Sequence, residues 1–325
     1  MPRSENQKLK LLYLKQFFEE KTDENHTATM ADIIAYLRSK GIEAERKSIY
    51  NDFDALEYYG MDVRNDEYGK NYQWLDRDIE LSELKLIIDS VASSKFLPEK
   101  KSLALIQKLE KLCSEYQREQ LTRQVRVIGR PKTMNNNVLY NVDALHAAIA
   151  ANKTVRFKYF HYNIKKEREY TKKGEPYEVS PWALLYDNDN YYLLAYLDDD
   201  FRIFRVDRMA NVETGEEDRH GQEVFDQMDM AAYSKSTFGM YGGKEQEVEM
   251  VFHNRMIDTV IDKFGRDVWL RKVDDWHFKV TVTVAVSPQF FAWVFGLGNY
   301  VTITGPDNVV KQMKDMLAKV QKRYE

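Results

Sequence analysis

Two short apolar runs on either side of three aspartates constrain the middle of this chain most strongly. Residues 191–196 and 203–206 are rich in aromatic, β-branched and aliphatic side chains, and Asp198, Asp199 and Asp200 lie between them. Runs of this kind favour β-strands, and a polar interval of this length favours a tight turn. The sequence therefore predicts a β-hairpin within a small, strongly bent sheet.

Arginines recur in the second strand of this predicted hairpin. They are Arg202, Arg205 and Arg208, and they lie among apolar residues rather than in a solvated block of charge. Because side chains alternate between the two faces of a strand, we expect Arg202 and Arg208 to share one face with Phe204.

Guanidinium groups on a half-buried sheet need anionic partners, since an isolated buried charge is unfavourable. Asp207 can satisfy one arginine, which leaves the others for a bound anion. Internal ion pairs with Asp207, Asp187 or another carboxylate of the domain are the alternative for each arginine.

The order of motifs in this region resembles that of the WYL domain. Pro181 and Trp182 come first, the triplet Tyr191-Tyr192-Leu193 follows, and FRVDR closes the segment at 204–208. Tyrosine stands at 191 where the family usually has tryptophan, a mild departure because both rings are flat and amphipathic. The resemblance implies an Sm-like β-barrel of the kind found in bacterial transcription regulators, here over residues 138–213.

Aromatic rings beside guanidinium groups suit a flipped base with its phosphate, so we expect a nucleic acid or nucleotide as the effector of this domain. Tyr192 and Phe204 are expected in the core. The candidate effector-binding residues are Lys158, Tyr159, His161, Tyr191, Arg202, Arg205 and Arg208.

Residues 1–76 show the pattern of a winged helix-turn-helix. Apolar spacing predicts helices at 9–18, 30–37 and 45–59, and the stretch after Gly60 alternates as a two-stranded wing with a turn at Gly69 would. Residues 46–60 resemble the recognition helix of the DeoR-like winged helices that commonly precede WYL domains. The candidate DNA-binding residues are Arg46, Lys47, Ser48, Tyr50, Asn51, Arg64 and Lys70.

The charge of this N-terminal segment works against DNA binding. Residues 1–76 hold 11 Lys and Arg against 15 Asp and Glu, so the segment carries a net charge of −4. DNA affinity depends largely on phosphate neutralisation. We therefore expect few contacts per subunit and a homodimer that binds a double-stranded operator. A winged helix that makes only protein contacts is the alternative.

Residues 77–137 are predicted to form a helical linker. Helices are expected at 79–95 and 98–117, the second starting at Pro98, and an extended segment at 121–137. Cys113, the one cysteine of the chain, is expected to be a core thiol. It belongs to a predicted apolar stripe of Leu103, Ile106, Leu109, Leu112, Cys113 and Tyr116.

The C-terminal residues 245–325 show the order β-α-β-β-α-β-α, which predicts a ferredoxin-like α/β domain. This part also resembles the C-terminal extension that follows many WYL domains. The predicted fold class is thus α+β and multidomain: an N-terminal winged helix-turn-helix, a helical linker, an Sm-like β-barrel WYL domain and a C-terminal ferredoxin-like domain.

Signatures of enzymes, metal sites and cofactors are missing from the sequence. The six histidines are scattered without an H-E-x-x-H motif, and no P-loop or G-x-S-x-G is present. We expect no cofactor, no metal and no catalysis.

No apolar run approaches the roughly 18 residues that span a bilayer, and the N-terminus lacks a signal peptide's apolar region. With one cysteine, a cytoplasmic location is expected.

These patterns predict a ligand-responsive, DNA-binding transcription regulator. The alternative is an accessory nucleic-acid-binding protein that modulates a partner enzyme without operator recognition, which the acidic N-terminal segment favours. An enzyme acting on nucleotides is a third interpretation, against which the missing catalytic motifs count.

Overall fold

The protein is described by a computed structural model that covers residues 7–65, 70–124, 132–230, 233, 236–240 and 243–325. Two compact units make up the chain, Met1–Asn136 and Asn137–Glu325.

The first unit begins with helices and a small antiparallel sheet whose strand order is β1-β3-β2. The helices start close to the predicted positions. The side chain of Thr29 accepts a hydrogen bond from the backbone N–H of Asp32 at the start of the second helix, in a capping box. The predicted turn at Gly69 lies outside the described residues. The elements are α1 (Lys10–Lys21), β1 (Ala28–Thr29), α2 (Met30–Ser39), α3 (Arg46–Tyr58), β2 (Val63–Asn65) and β3 (Asn71–Trp74).

Three further helices complete the first unit: α4 (Leu81–Ser93), α5 (Glu99–Leu109) and α6 (Glu115–Gln124). The prediction of one helix over 98–117 is wrong, because the chain leaves the helix between α5 and α6. The hydroxyl of Ser114 accepts the backbone N–H of Gln117 at 3.0 Å and donates to Oδ2 of Asp23 at 2.5 Å. Serine in this position stabilises a new helix start rather than a continuous helix.

The predicted apolar stripe of this region is only partly buried. Cys113 is in the core, as expected, whereas 55% of Leu103 and 46% of Leu112 are exposed. Ser102 is the buried residue of α5, and Ile106 and Leu109 of the predicted stripe pack against the core that contains Cys113. The extended segment predicted at 121–137 is wrong at its start, since α6 continues to Gln124, and residues 125–131 lie outside the described part.

In the second unit, one helix is followed by a curled antiparallel sheet. The strand order is β5-β4-β6-β7-β8, and β9 pairs with the other edge of β4. This sheet is a half-barrel rather than the closed barrel expected. The elements are α7 (Val138–Ala150), β4 (Lys153–Tyr162), β5 (Arg168–Tyr170), β6 (Tyr177–Asp187), β7 (Asn190–Leu197), β8 (Asp200–Arg205) and β9 (Met209–Asp218).

The predicted hairpin is confirmed as β7 and β8. Asp198 and Asp199 form its turn with φ values of 52° and 61°, a left-handed conformation that aspartate tolerates better than most residues. One local expectation is wrong: the second strand of the hairpin ends at Arg205, three residues before Arg208.

The C-terminal part of the second unit has a four-stranded antiparallel sheet of order β11-β12-β10-β13. Helices cover one face, and its core includes Phe252, Val280, Phe290 and Ile303. The elements are α8 (Gln222–Phe225), β10 (Lys244–His253), α9 (Ile257–Phe264), β11 (Leu270–Lys272), β12 (His277–Val286), α10 (Pro288–Gly296), β13 (Val301–Gly305) and α11 (Asp307–Gln321).

Candidate effector site and DNA-binding surface

A short 3-10 turn, Val206–Arg208, joins β8 to β9 and brings two of the predicted arginines to one carboxylate. Asp207 accepts hydrogen bonds from Arg205 Nε and Nη2, both at 3.0 Å. Its Oδ2 is also 3.8 Å from Nε of Arg208. Two guanidinium groups therefore share one carboxylate, so these three side chains together carry one net positive charge.

Arg205 is the more firmly held of the two arginines. Its Nη2 also donates to Oδ1 of Asn190 at 2.8 Å, across the hairpin. Burial alone would lower the pKa of this guanidinium, but the hydrogen bonds and charge of Asp207 hold the pKa above its ordinary value. Arg205 therefore stays charged and positions Asp207.

Arg208 is held more loosely and lies against an aromatic ring. Its guanidinium carbon is 4.7 Å from the ring centroid of Tyr162, within the range of a cation–π contact. About a quarter of its side chain is exposed, 26%. A cation in this setting can meet a solvent-borne anion with little rearrangement.

Tyr159 connects the turn to the aromatic core. Its hydroxyl accepts the backbone N–H of Arg205 at 3.2 Å. Its ring meets Phe204 edge-on at 5.4 Å and Tyr177 at 6.3 Å. Burial raises the pKa of Tyr159 above its usual range, so the phenol remains a neutral hydrogen-bonding group.

Asn141 of α7 makes hydrogen bonds to the turn between β8 and β9. Its Nδ2 donates to the carbonyl oxygen of Met209 at 3.1 Å and to that of Val206 at 3.4 Å. Asn141 itself is buried, so these bonds satisfy a polar group that has no access to water. They stabilise the end of β8 just before Asp207.

The other predicted effector residues lie apart from this turn. Arg202 is at the hairpin turn, where its Nη2 is 3.1 Å from Oδ2 of Asp198. Tyr191 follows Asn190 on β7 and so points to the opposite face of that strand; its ring is 5.0 Å from that of Tyr186. The expectation that Arg202 and Arg208 share a strand face is wrong, because β8 ends between them.

Two further candidates lie on β4. Lys158 precedes Tyr159 and alternates to the opposite face from it. His161 is exposed and 3.6 Å from Oε2 of Glu169 on β5. The structure thus brings together Tyr159, Arg205 and Arg208, and leaves Lys158, His161, Tyr191 and Arg202 elsewhere. Tyr192 and Phe204 are buried, as expected.

Sequence reasoning misses three residues of this site: Asn141, Tyr162 and Asn190. Asn141 carries a detectable signal, since it is a polar residue on the buried stripe of α7, which also holds Val138, Val142 and Leu145. Tyr162 and Asn190 carry no such signal, because their roles depend on neighbours that are distant in sequence.

The predicted DNA-binding residues lie mostly on α3. Arg46, Lys47 and Asn51 are exposed. Ser48 and Tyr50 have partners inside the protein: the hydroxyl of Ser48 accepts from Lys10 Nζ at 2.5 Å, and the hydroxyl of Tyr50 is 3.1 Å from that of Tyr72. Lys70, just before β3, is exposed. Arg64 lies in β2, and its side chain is not among the described parts of the structure.

A buried lysine anchors α3 to α1. Lys10 is 5% exposed, and its Nζ is 2.5 Å from Oδ2 of Asp52. Ile49 and Leu56 pack on the other side of α3 into the core of the N-terminal helices. Buried and exposed faces of α3 are therefore clearly separated.

Metal ligands do not cluster in the described ranges: no group of three His, Cys, Asp or Glu side chains has the arrangement a metal ion needs. Within the same ranges, no helix has the length and apolar character to cross a membrane.

Comparison with known families identifies two domains in the chain. Residues 140–214 match the WYL domain, and residues 244–321 match the WCX domain. The chain therefore contains a WYL domain followed by a WCX domain, which fits a WYL-domain regulator. No curated protein sequence matches the chain.

Among solved structures, proteasome accessory factor B/C (PafBC) of Arthrobacter aurescens is similar at 16% identity with a TM-score of 0.29, over 99% of this chain and 50% of that one. A structure titled as a CRISPR Cas-related protein is similar at 11% identity with a TM-score of 0.36, over 90% of this chain and 77% of that one. This chain spans about half the length of the first structure.

Proposed function

We propose that this protein is a ligand-responsive transcription regulator that binds a double-stranded DNA operator as a homodimer in the cytoplasm. The observation that carries the proposal is the exposed face of α3, with Arg46, Lys47 and Asn51, in a chain that contains WYL and WCX domains. The proposal includes neither a cofactor nor catalysis.

The N-terminal elements support a winged helix-turn-helix of the DeoR-like kind. A short connection joins α2 to α3, and the antiparallel pair of β2 and β3 follows α3 in the position of a wing. In that arrangement α3 enters the major groove. Lys47 then contacts guanine or phosphate, and Asn51 contacts a base edge.

The C-terminal sheet supports a ferredoxin-like domain. In its order β11-β12-β10-β13, the first strand of the domain lies between the third and the fourth.

Exposed leucines on the helices of the first unit, among them Leu86 and Leu103, support a subunit contact. Sedimentation equilibrium tests the dimer, which a purely monomeric protein at micromolar concentration would exclude.

The effector is proposed to bind where Arg208 lies over Tyr162 beside Asp207 and Arg205. A phosphate suits the net positive charge of this cluster, and a base suits the neighbouring rings. Titration with a labelled single-stranded oligonucleotide tests this site. Arg208→Gln should weaken binding about tenfold, and Arg156→Gln should not, since the exposed Arg156 pairs with Glu178 elsewhere on the sheet.

DNA binding is tested by a gel shift against the upstream region of the protein's own gene. Sequence-dependent binding that is lost in a Lys47→Ala, Asn51→Ala double variant supports the regulator. Lys108→Ala is the matched control, because Lys108 is an exposed lysine on α5 and belongs neither to α3 nor to the wing strands. Loss of binding in both variants would contradict the assignment of α3.

The net charge of −4 over residues 1–76 favours a second candidate, an accessory nucleic-acid-binding protein that modulates a partner enzyme without operator recognition. Equal affinity for the upstream region and for random duplex of the same length would support this second function over the first.

A further inference from the structure

The WCX domain contains a groove that the proposed function does not use. It has a volume of about 540 Å³ and lies between α10, the loop after it, β13 and α11. Cavities of this size are in the range that proteins use for small-molecule ligands.

Apolar side chains form most of the groove surface. Val294 and Phe295 of α10 make one wall, Ile303 of β13 contributes to the floor, and Val310, Met313 and Leu317 of α11 make the other wall. Phe295 is 60% exposed and Leu317 is 38% exposed. An apolar body in this groove would remove both side chains from water, which is favourable.

Polar side chains are few in the lining. Lys314 of α11 is the one charged residue among the described residues that line the groove, and Asn299 and Thr302 are the uncharged polar ones. Within the described part of the chain, no carboxylate lies within ion-pairing distance of Lys314. One unpaired ammonium group beside an apolar cavity complements one negative charge on an apolar molecule.

We propose that this groove binds an amphipathic monocarboxylate, with its carboxylate at Lys314 and its alkyl body between α10 and α11. A single lysine matches the single charge of a carboxylate. The site is independent of the proposed DNA and effector contacts, because none of those residues lines the groove.

The test is isothermal titration of the full chain with decanoate below its micelle concentration. Two probes separate the contributions of charge and chain: butyrate keeps the carboxylate without the long chain, and decyltrimethylammonium keeps the chain with the opposite charge. Saturable binding of decanoate, and binding of the two other probes weaker by about tenfold or more, is expected.

Variants locate the site. Lys314→Gln should weaken decanoate binding about tenfold, as expected for a lost charge-assisted hydrogen bond. Lys319→Gln, on the same helix but outside the lining, should leave it unchanged. Leu317→Trp, at an exposed lining position of α11, should fill the groove and abolish binding.

Three results overturn the proposal. One is the lack of saturable decanoate binding, and another is equal binding by the Lys314→Gln and Lys319→Gln variants. The third is a dimer in sedimentation that Leu317→Trp converts to a monomer, which would make a second copy of this chain the occupant. Lys314 is exposed, so its replacement tests the site even if Leu317→Trp fails to fold.

Discussion

The carboxylate of Asp207 accepts two parallel hydrogen bonds from the guanidinium of Arg205, each 3.0 Å long. Only 11% of the Asp207 side chain is exposed, against 37% of Arg205. Replacing Asp207 by Asn removes the charge that two arginines share. We expect Asp207→Asn to lower the free energy of unfolding by about 1–2 kcal/mol, less than for a fully buried pair because solvent screens Arg205.

Urea unfolding followed by circular dichroism measures this loss. Asp198→Asn is the matched control, since the Arg202–Asp198 pair lies at the surface, with 46% and 67% of the two side chains exposed. That variant should change stability by less than about 0.5 kcal/mol. Equal effects of the two substitutions would mean that the Asp207 pair is no stronger than a surface pair.

Lys10 and Asp52 are expected to be energetically coupled. Their ion pair is 2.5 Å long, and the exposed fractions of the two side chains are 6% and 18%. Removing one partner leaves the other charged and poorly hydrated, so Lys10→Met alone should cost about 3 kcal/mol. In a double-mutant cycle with Asp52→Asn we expect a coupling energy above about 1 kcal/mol.

The Lys15–Glu19 pair on α1 serves as the control cycle, because both side chains are about one third exposed. Its coupling energy should be about 0.3–0.5 kcal/mol, typical of a pair four residues apart on a helix. A Lys10–Asp52 coupling as small as that would show that the lysine contributes to α3 only through packing.

Helices and hairpins of this chain could be predicted where local spacing determines them. The apolar spacing of Ile49, Phe53 and Leu56 predicts α3, and the aspartates at 198–200 predict the turn before β8. The break before α6 could not be predicted in this way. It depends on a hydrogen bond between Ser114 and Asp23, which are 91 residues apart.

The candidate effector site shows the same limit. Arginines among apolar residues indicate where cations lie along the chain, and Tyr159, Arg205 and Arg208 do come together. The hydrogen bonds from Asn141 to the carbonyl oxygens of Val206 and Met209 end β8 before Arg208. Strand alternation therefore predicts the wrong face for Arg208. Such a contact from a separate helix is not visible in the sequence of the strand.

Asp23 links α1 to α6 and should make stability depend on acid pH. Burial alone would raise the pKa of Asp23, but hydrogen bonds from Ser114, His26 and the backbone of Asn25 outweigh it and hold the pKa below the usual 3.8. With a lowered folded-state pKa, the contribution is complete above pH 3.8 and is lost as the pH falls through the folded-state pKa.

We therefore expect Ser114→Ala to lower the free energy of unfolding by about 2 kcal/mol at pH 7, because it removes both a helix cap and the hydrogen bond to the Asp23 carboxylate. The part that comes from Asp23 should shrink as the pH falls below 3.8. Thermal unfolding across this range measures it. Ser82→Ala, an exposed serine of α4, is the control and should show no such convergence; a constant difference for Ser114→Ala would mean that Asp23 is not the group involved.

The salt dependence of DNA binding should report how many phosphates the acidic N-terminal segment neutralises. Each phosphate contact adds about 0.9 to the slope of log affinity against log salt concentration. With a net charge of −4 over residues 1–76, few contacts per subunit are expected, so the slope should be shallow.

If Lys47 contacts phosphate, Lys47→Ala should reduce the slope by about 1 for each subunit and weaken binding to all duplexes alike. Asn51→Ala should leave the slope unchanged and reduce discrimination between bases by about 1–3 kcal/mol. Fluorescence anisotropy at several salt concentrations separates these effects, with Lys108→Ala as the control for a lysine outside the contact. A slope that changes equally in the Lys47 and Lys108 variants would show that affinity comes from the overall charge of the protein and not from α3.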